Sequence, residues 1–131
     1  MVLKNNKKNA LGRPESRNNS KMKYGKIKKG WQFEKVYKEG SKFFDDLFVL
    51  YALPNDINEV RIGLTVTKKI GKSVQRNRIK RLIRESFRLS NRILPGNDIV
   101  VIARKPSVDL KYSQAKNSLN HLLRRAKLFE S

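Results

Sequence analysis

The basic residues between Lys68 and Arg92 are the strongest candidates for chemistry in this sequence. Ten of these 25 residues are lysine or arginine, and Glu85 is the single acid among them. Four of the basic residues recur at every fourth position and would form one row on a helix: Arg76, Lys80, Arg84 and Arg88. Because acids are missing, internal salt bridges do not explain the row. It is typical of a surface that binds phosphate groups.

The approach to this predicted helix favours the same chemistry. Three lysines surround Gly71, which permits a tight turn before the helix: Lys68, Lys69 and Lys72. The free N–H groups of a helix N-terminus also attract anions. Asn77 can donate and accept hydrogen bonds, so it could bridge a phosphate, a 2′-hydroxyl or a base edge. Arg78 and Arg81 extend the basic side, while Ile79, Ile83 and their neighbours would form an apolar side.

Composition limits the possible partners. The chain has 131 residues and a formal net charge of +20, which points to a polyanionic partner. Its longest apolar runs, such as Leu47–Leu53, are far too short to cross a bilayer, so we expect no membrane partner. The absence of cysteine fits a reducing cytoplasm, where we expect the protein to act. With one histidine, His121, and no nucleophile or metal motif, we expect no catalytic side chains, no bound cofactor and no small-molecule substrate.

Helices and strands alternate in the elements that would position these residues. Hydrophobic periodicity predicts three helices, over Gly30–Lys38, Ser73–Asn91 and Ser113–Phe129, and three main strands, over Leu47–Leu53, Arg61–Thr67 and Asp98–Arg104. Gly40 is placed to end the first helix in a left-handed conformation, and Ser113 to cap the last. The order predicts an α+β fold, an α/β sandwich with a small central sheet.

The N-terminus differs in composition from the rest of the chain. Residues 1–29 contain ten Lys and Arg, one Glu and few apolar residues. Such a segment buries too little surface to offset its ordering entropy, so it reads as a flexible basic tail. We divide the chain into a tail over residues 1–25 and a domain over residues 26–131. The tail could add nonspecific RNA affinity or have a specific role.

The residues from Lys68 to Lys72 and from Arg76 to Glu85 resemble the "RNR" signature of the bacterial ribonuclease P protein family. The resemblance extends from about Lys26 to Leu128. It implies a ribosomal protein S5 domain 2-like fold, in which the signature helix lies in a left-handed β-α-β crossover. It also implies a ribonucleoprotein endonuclease, a hydrolase in which a partner RNA uses magnesium ions to remove the 5′ leader of precursor tRNA. The protein would raise substrate affinity and aid the use of metal.

The resemblance implies two binding surfaces. The first would face the catalytic RNA and consists of Lys68, Lys69, Lys72, Arg76, Asn77, Arg78, Lys80, Arg81, Arg84 and Arg88. The second is a cleft for the single-stranded leader, which consists of Phe33, Tyr37, Tyr51, Phe48 and Thr65. Aromatic stacking tolerates any base sequence, which suits many different leaders.

Several alternatives stay open on the sequence alone. Phe33 and Tyr37 could pack in the core instead of contacting a leader. Phe48 and Tyr51 point to opposite faces of a regular strand, so both face the cleft only if the strand is bulged, and we rank Tyr51 first. Trp31 could extend the stacking surface or pack against the tail. A structural ribosomal RNA-binding protein without an enzymatic partner fits the composition equally well, and a DNA-binding helix fits it less well because Asn77 is almost alone in suiting base contacts.

Overall fold

A mixed five-stranded sheet forms the centre of the fold. The structure, a computed structural model, describes residues 24–89, 93–105 and 109–129. Its strands are β1 (Gly25–Lys26), β2 (Ser41–Phe44), β3 (Phe48–Pro54), β4 (Val60–Thr65) and β5 (Asn97–Ala103), and its helices are α1 (Gly30–Glu39), α2 (Ser73–Arg88) and α3 (Tyr112–Arg125). The predicted α+β class is therefore confirmed.

The strand order across the sheet is β1-β4-β5-β3-β2. β4 and β5 are parallel neighbours joined through α2, so the predicted β-α-β unit is present. Its left hand, which the family resemblance implies, stays a prediction. β3 runs antiparallel to both β5 and β2, and the short β1 pairs in parallel with β4 at the opposite edge.

The larger core lies on the face of the sheet that α2 and α3 cover. Along β3, Phe48 and Leu50 are fully buried there, since alternate side chains of a strand point to opposite faces. The helices contribute large apolar side chains to the same cluster: Ile79, Ile83, Phe87, Leu119, Leu122 and Leu123. Burial of this apolar side fixes the orientation of α2 and turns its basic residues outward.

A smaller cluster forms on the other face, where α1 covers the sheet. Val36 is fully buried against Val100 and Ile27. The chain then leaves α1 through Gly40, which has an extended backbone (φ −81°, ψ 164°), so the predicted left-handed stop is wrong. Glycine is required there by close approach, because a Cβ atom would lie 2.6 Å from the Val36 carbonyl oxygen and 2.9 Å from that of Ala52.

All three helices begin in the same way. Each has a lysine at the N-cap and a glutamine three residues later, and the glutamine side-chain oxygen accepts the lysine main-chain N–H. The pairs are Lys29 with Gln32 (3.1 Å), Lys72 with Gln75 (2.8 Å) and Lys111 with Gln114 (2.9 Å). The predicted cap at Ser113 is therefore wrong, since α3 begins one residue earlier.

The ends of several other predicted elements shift by one or more residues. α3 ends at Arg125 and not at Phe129, because Lys127 adopts a left-handed conformation (φ 59°) and Phe129 instead bridges to Ile93. α2 ends at Arg88, and the last residues of its predicted range lie outside the described residues. β1 begins at Gly25 and Tyr24 packs on the larger core. The division of the chain into a tail over residues 1–25 and a domain over residues 26–131 stays a prediction. The predicted tail up to residue 23 lies outside the described residues.

Among the described residues, none of the helices is both long and apolar enough to cross a membrane.

Candidate nucleic-acid interface

The basic side of α2 faces outward, as the sequence predicts. Arg84 and Arg88 are exposed, while Arg76 and Lys80 are partly covered. On the opposite side of the helix, Ile79, Ile83 and Phe87 have at most 1% of their surface exposed. The helix therefore presents cations on one side and is held to the core by the other. Five further predicted residues are also exposed: Lys68, Lys69, Lys72, Asn77 and Arg81.

Three predicted RNA-binding arginines have partners within the protein: Arg76, which contacts Ser73, Arg78 and Arg88. Arg78 donates a hydrogen bond from its guanidinium to the main-chain carbonyl of Leu110, in the segment that leads to α3. Arg88 Nη2 lies 2.6 Å from Oε2 of Glu85, and this hydrogen bond raises the pKa of the arginine above its ordinary value. The row thus contains one internal ion pair, which is exposed and contributes only about 0.3–0.5 kcal/mol.

The start of α2 is sterically tight. A side chain at Gly71 would collide with the side chain of Gln75, whose amide oxygen Oε1 accepts the main-chain N–H of Lys72. One turn on, Arg76 donates from Nη2 to the Ser73 hydroxyl (3.1 Å), while its Nε is buried without a partner among the described residues. An anion at this helix end could provide the acceptor that this buried N–H lacks.

Four of the five predicted cleft residues come together on the other face of the sheet. The ring centroids of Phe33 and Tyr37 lie 6.4 Å apart, and those of Tyr37 and Tyr51 lie 5.1 Å apart in an edge-to-face arrangement. The Tyr37 hydroxyl is hydrogen bonded to Oγ1 of Thr65 at 3.0 Å. All four side chains are partly exposed, so this surface combines packing with access for a ligand.

The prediction for Phe48 is wrong. Its side chain is fully buried on the α2 and α3 face of the sheet, whereas Tyr51 lies on the α1 face. β3 pairs with β5 without interruption from Phe48 to Pro54, so it has no bulge that could turn both side chains to one face.

A groove of about 310 Å³ connects the two surfaces at the edge of the sheet. Apolar side chains line its interior, including Ile27, Phe33 and Leu64. Its charged lining consists of Lys26, Lys28, Lys80, Arg84, Glu85 and Arg88. Sequence reasoning missed the β1 side of this groove because only Tyr24 and Ile27 interrupt a polar, basic stretch there. Burial also raises the pKa of the Tyr24 phenol.

Trp31 lies apart from the cleft aromatics. It is 62% exposed and lines a different groove with Leu53, Pro54 and Ile57. The same groove is lined by Arg61 and Asp98, which form an ion pair at 2.7 Å across adjacent strands. Trp31 therefore does not join the stacked group that contains Tyr37 and Tyr51.

A cationic helix on one face of the sheet and a cleft with aromatic side chains on the other define a small, basic RNA-binding protein of the α+β class. The sequence model of the family described as ribonuclease P matches residues 22–127. The chain belongs to this family.

Relatives support the assignment over most of their length. The chain is 47% identical over 108 residues to the ribonuclease P protein component of Clostridium kluyveri, covering 80% of this chain and 96% of that one. The solved structure of the Staphylococcus aureus RNase P protein is similar with a TM-score of 0.76 and 44% identity, covering 82% of this chain and all (100%) of that chain. The Thermotoga maritima RNase P protein is similar with a TM-score of 0.66 and 35% identity, over 71% and 89% of the two chains.

Proposed function

We propose that this chain binds two RNAs at once within ribonuclease P, the catalytic RNA along α2 and the 5′ leader of precursor tRNA in the cleft beneath α1. The observation that carries the proposal is the division of β4 between the two surfaces. Ile62 and Leu64 pack toward α2, whereas Gly63 and Thr65 contact Phe33 and Tyr37 on the α1 face. One rigid strand thus supports both proposed sites.

The basic side of α2 suits the catalytic RNA. Exposed residues such as Arg81 and Arg84 can each approach a phosphate, and their binding would release counterions. Arg78 acts differently in this proposal, because its hydrogen bond to the Leu110 carbonyl joins α2 to the segment before α3. Arg88 pairs with Glu85 on the same helix and stays exposed, so it remains available to RNA. RNA contact is therefore assigned mainly to the exposed members of the predicted set.

The cleft suits an unpaired strand. Tyr37 and Tyr51 present ring edges and faces next to the Thr65 hydroxyl, so a base can stack while a sugar or phosphate finds a polar partner. The hydrogen bond between Tyr37 and Thr65 limits the movement of one ring before any leader arrives. Such preorganisation lowers the ordering cost of binding.

Bond cleavage is assigned to the RNA partner. Magnesium prefers oxygen ligands, mainly carboxylates and phosphates, whereas the two surfaces are made of Lys, Arg, Asn and aromatic side chains. These residues do not suit a resident magnesium ion, so the proposal leaves the metal in the RNA. The metal would supply the activated water, and the protein would orient the leader and offset phosphate repulsion. A cytoplasmic location belongs to the same proposal. Neither the fold nor the relatives favour a structural ribosomal protein.

A processing assay tests the proposal. The full chain would be combined with its cognate catalytic RNA, and cleavage of precursor tRNA would be followed across magnesium concentrations. We expect cleavage at low magnesium only when both components are present, and none by the protein alone. Equal activity of the RNA with and without the protein at every magnesium concentration would refute the proposal. Arg84→Ala should weaken binding of the catalytic RNA, and Phe33→Ala should weaken binding of leader-bearing substrate only.

A further inference from the structure

We propose that Phe44 and Lys42 on the edge strand β2 form an additional nucleotide site, which extends the leader cleft across the sheet. The inference rests on the proposed leader cleft and adds residues that neither the sequence pattern nor the predicted site includes. The ligand class is single-stranded RNA, with a base on the Phe44 ring and a phosphate near the Lys42 ammonium group.

The strand register places these residues on the cleft face. One row of paired residues runs across the sheet from Thr65 through Ile102 and Val49 to Phe44. The adjacent row runs from Gly63 through Val100 and Tyr51 to Lys42. Paired residues project to the same face of a sheet. Phe44 and Lys42 therefore share a face with Tyr51 and Thr65, at the far end of the same two rows.

Phe44 is much more accessible than an ordinary core aromatic residue. Its side chain is 54% exposed, whereas Phe43, the next residue, points to the other face and packs on the larger core. The row that contains Phe44 also includes the partly exposed Val49 and Ile102, so a ligand that leaves Thr65 can follow an open apolar surface. Val100, in the adjacent row, is fully covered by α1. The open row thus leads from the cleft to Phe44.

Charge and spacing both suit a nucleotide. The Lys42 Nζ atom lies 5.7 Å from the centre of the Phe44 ring, so a stacked base and its phosphate could be bound together. Tyr51 and Phe44 are diagonal neighbours across β3 and β2, an arrangement with side chains about 7–8 Å apart. Two unstacked bases of one strand could occupy these two rings in succession.

The end of β2 is held in place by hydrogen bonds that do not involve the Phe44 ring. Arg125 donates to the Phe44 carbonyl oxygen (3.2 Å), and Arg104 donates to that of Asp45 (2.8 Å). The Asp45 carboxylate accepts the N–H groups of Leu47 (2.8 Å) and Phe48 (2.9 Å), which draws this negative charge into the turn. The site is therefore preorganised. Of the two neighbouring acids, Asp45 and Asp46, the first already accepts hydrogen bonds from the main chain.

The test measures binding of precursor tRNA to the complex of this chain with its catalytic RNA, while the leader is lengthened one nucleotide at a time. For the wild type, affinity should rise again when the leader becomes long enough to pass Tyr51 and reach Phe44. Phe44→Ala should remove this last increment in affinity, so that substrate with a long leader binds about 5- to 100-fold more weakly. Phe44→Trp should restore it, and Lys42→Ala should reduce both the increment and its salt dependence.

Trp31→Ala is the matched control, since Trp31 is another exposed aromatic residue but lies apart from these rows. It should leave the leader-length profile unchanged. A Phe44→Ala profile identical to the wild type, together with a loss of leader binding in Tyr51→Ala, would overturn the extension but not the cleft. If Tyr51→Ala also has no effect, the proposed cleft itself fails. Equal weakening of binding at all leader lengths would overturn the proposal, because Phe44 would then contact something other than the leader.

Discussion

The hydroxyl oxygens of Tyr37 and Thr65 lie 3.0 Å apart, and their hydrogen bond joins α1 to the sheet inside the proposed leader cleft. Tyr37 also meets Tyr51 edge to face, so the ring is held both by packing and by a polar contact. Tyr37 therefore has two roles, packing through its ring and hydrogen bonding through its hydroxyl. A substitution that keeps the ring and removes the hydroxyl can separate them.

Tyr37→Phe should reduce the unfolding free energy by about 0.5–1.5 kcal/mol, since it removes one partly buried hydrogen bond. Leader binding should weaken only slightly, because the ring remains for stacking and only its preorganisation by the hydrogen bond is lost. Urea denaturation and substrate binding measure the two effects. A cycle with Thr65→Val should reveal coupling between the residues, and additive effects would contradict a direct hydrogen bond.

Gly63→Ala should destabilise the protein by about 1–3 kcal/mol, as overpacking in a filled site does. The new Cβ atom would lie 2.7 Å from the nearest carbon of the Phe33 ring, which must move. Leader-bearing substrate should bind more weakly, and a leaderless tRNA should not. Phe33→Leu in the Gly63→Ala background should recover part of the stability. If it adds a further loss instead, the ring is not the obstacle.

Arg78 and Arg84 should respond differently to substitution by alanine, although both belong to the predicted RNA-binding set. Arg78→Ala leaves the Leu110 carbonyl without its charged donor and should cost about 1.5–3 kcal/mol of stability. Arg84→Ala alters an exposed site and should leave stability within about 0.5 kcal/mol. It should instead reduce the slope of log affinity against log salt by about 0.7–0.9. Identical stability and salt profiles for the two variants would contradict this division.

High pH should destabilise the fold through Tyr24. Burial raises the pKa of this phenol above its ordinary value, so the folded state favours the neutral form. The resulting stability is complete below the pKa of the unfolded chain, about 10, and is lost as pH rises through the folded pKa. Denaturation of wild type and Tyr24→Phe between about pH 9 and pH 11 measures the effect. The stability difference should shift in favour of Tyr24→Phe as pH rises, and a constant difference would contradict it.

The features that follow from local patterns could be predicted from the sequence. The basic and apolar sides of α2 both repeat with the helical period, so the burial of Ile79 and Ile83 was accessible from spacing alone. Strand alternation likewise indicates that Phe48 and Tyr51 diverge. The leader assignment of Phe48 came from the family resemblance, and it fails because β3 is regular.

Features that depend on distant contacts could not be predicted. β1 has two residues and exists because it pairs with Arg61 and Ile62, which no local pattern announces. The role of Arg78 depends on Leu110, which the fold brings to α2 from beyond β5. Gly40 was recognised as the end of a helix, yet its backbone is extended because crowding at Val36 and Ala52, not chain reversal, selects glycine.

The division of β4 between two faces would set the spacing between the two proposed RNA-binding surfaces. If α2 binds the catalytic RNA and the α1 face binds the leader, the two RNAs lie on opposite faces of the same strand. The thickness of the sheet then sets the distance between them. Side chains such as Leu64 and Thr65 are neighbours in sequence but belong to opposite faces. The sheet would then fix the distance between the two bound RNAs. The number of nucleotides between the scissile bond and the first stacked base would therefore be constant, whatever their sequence.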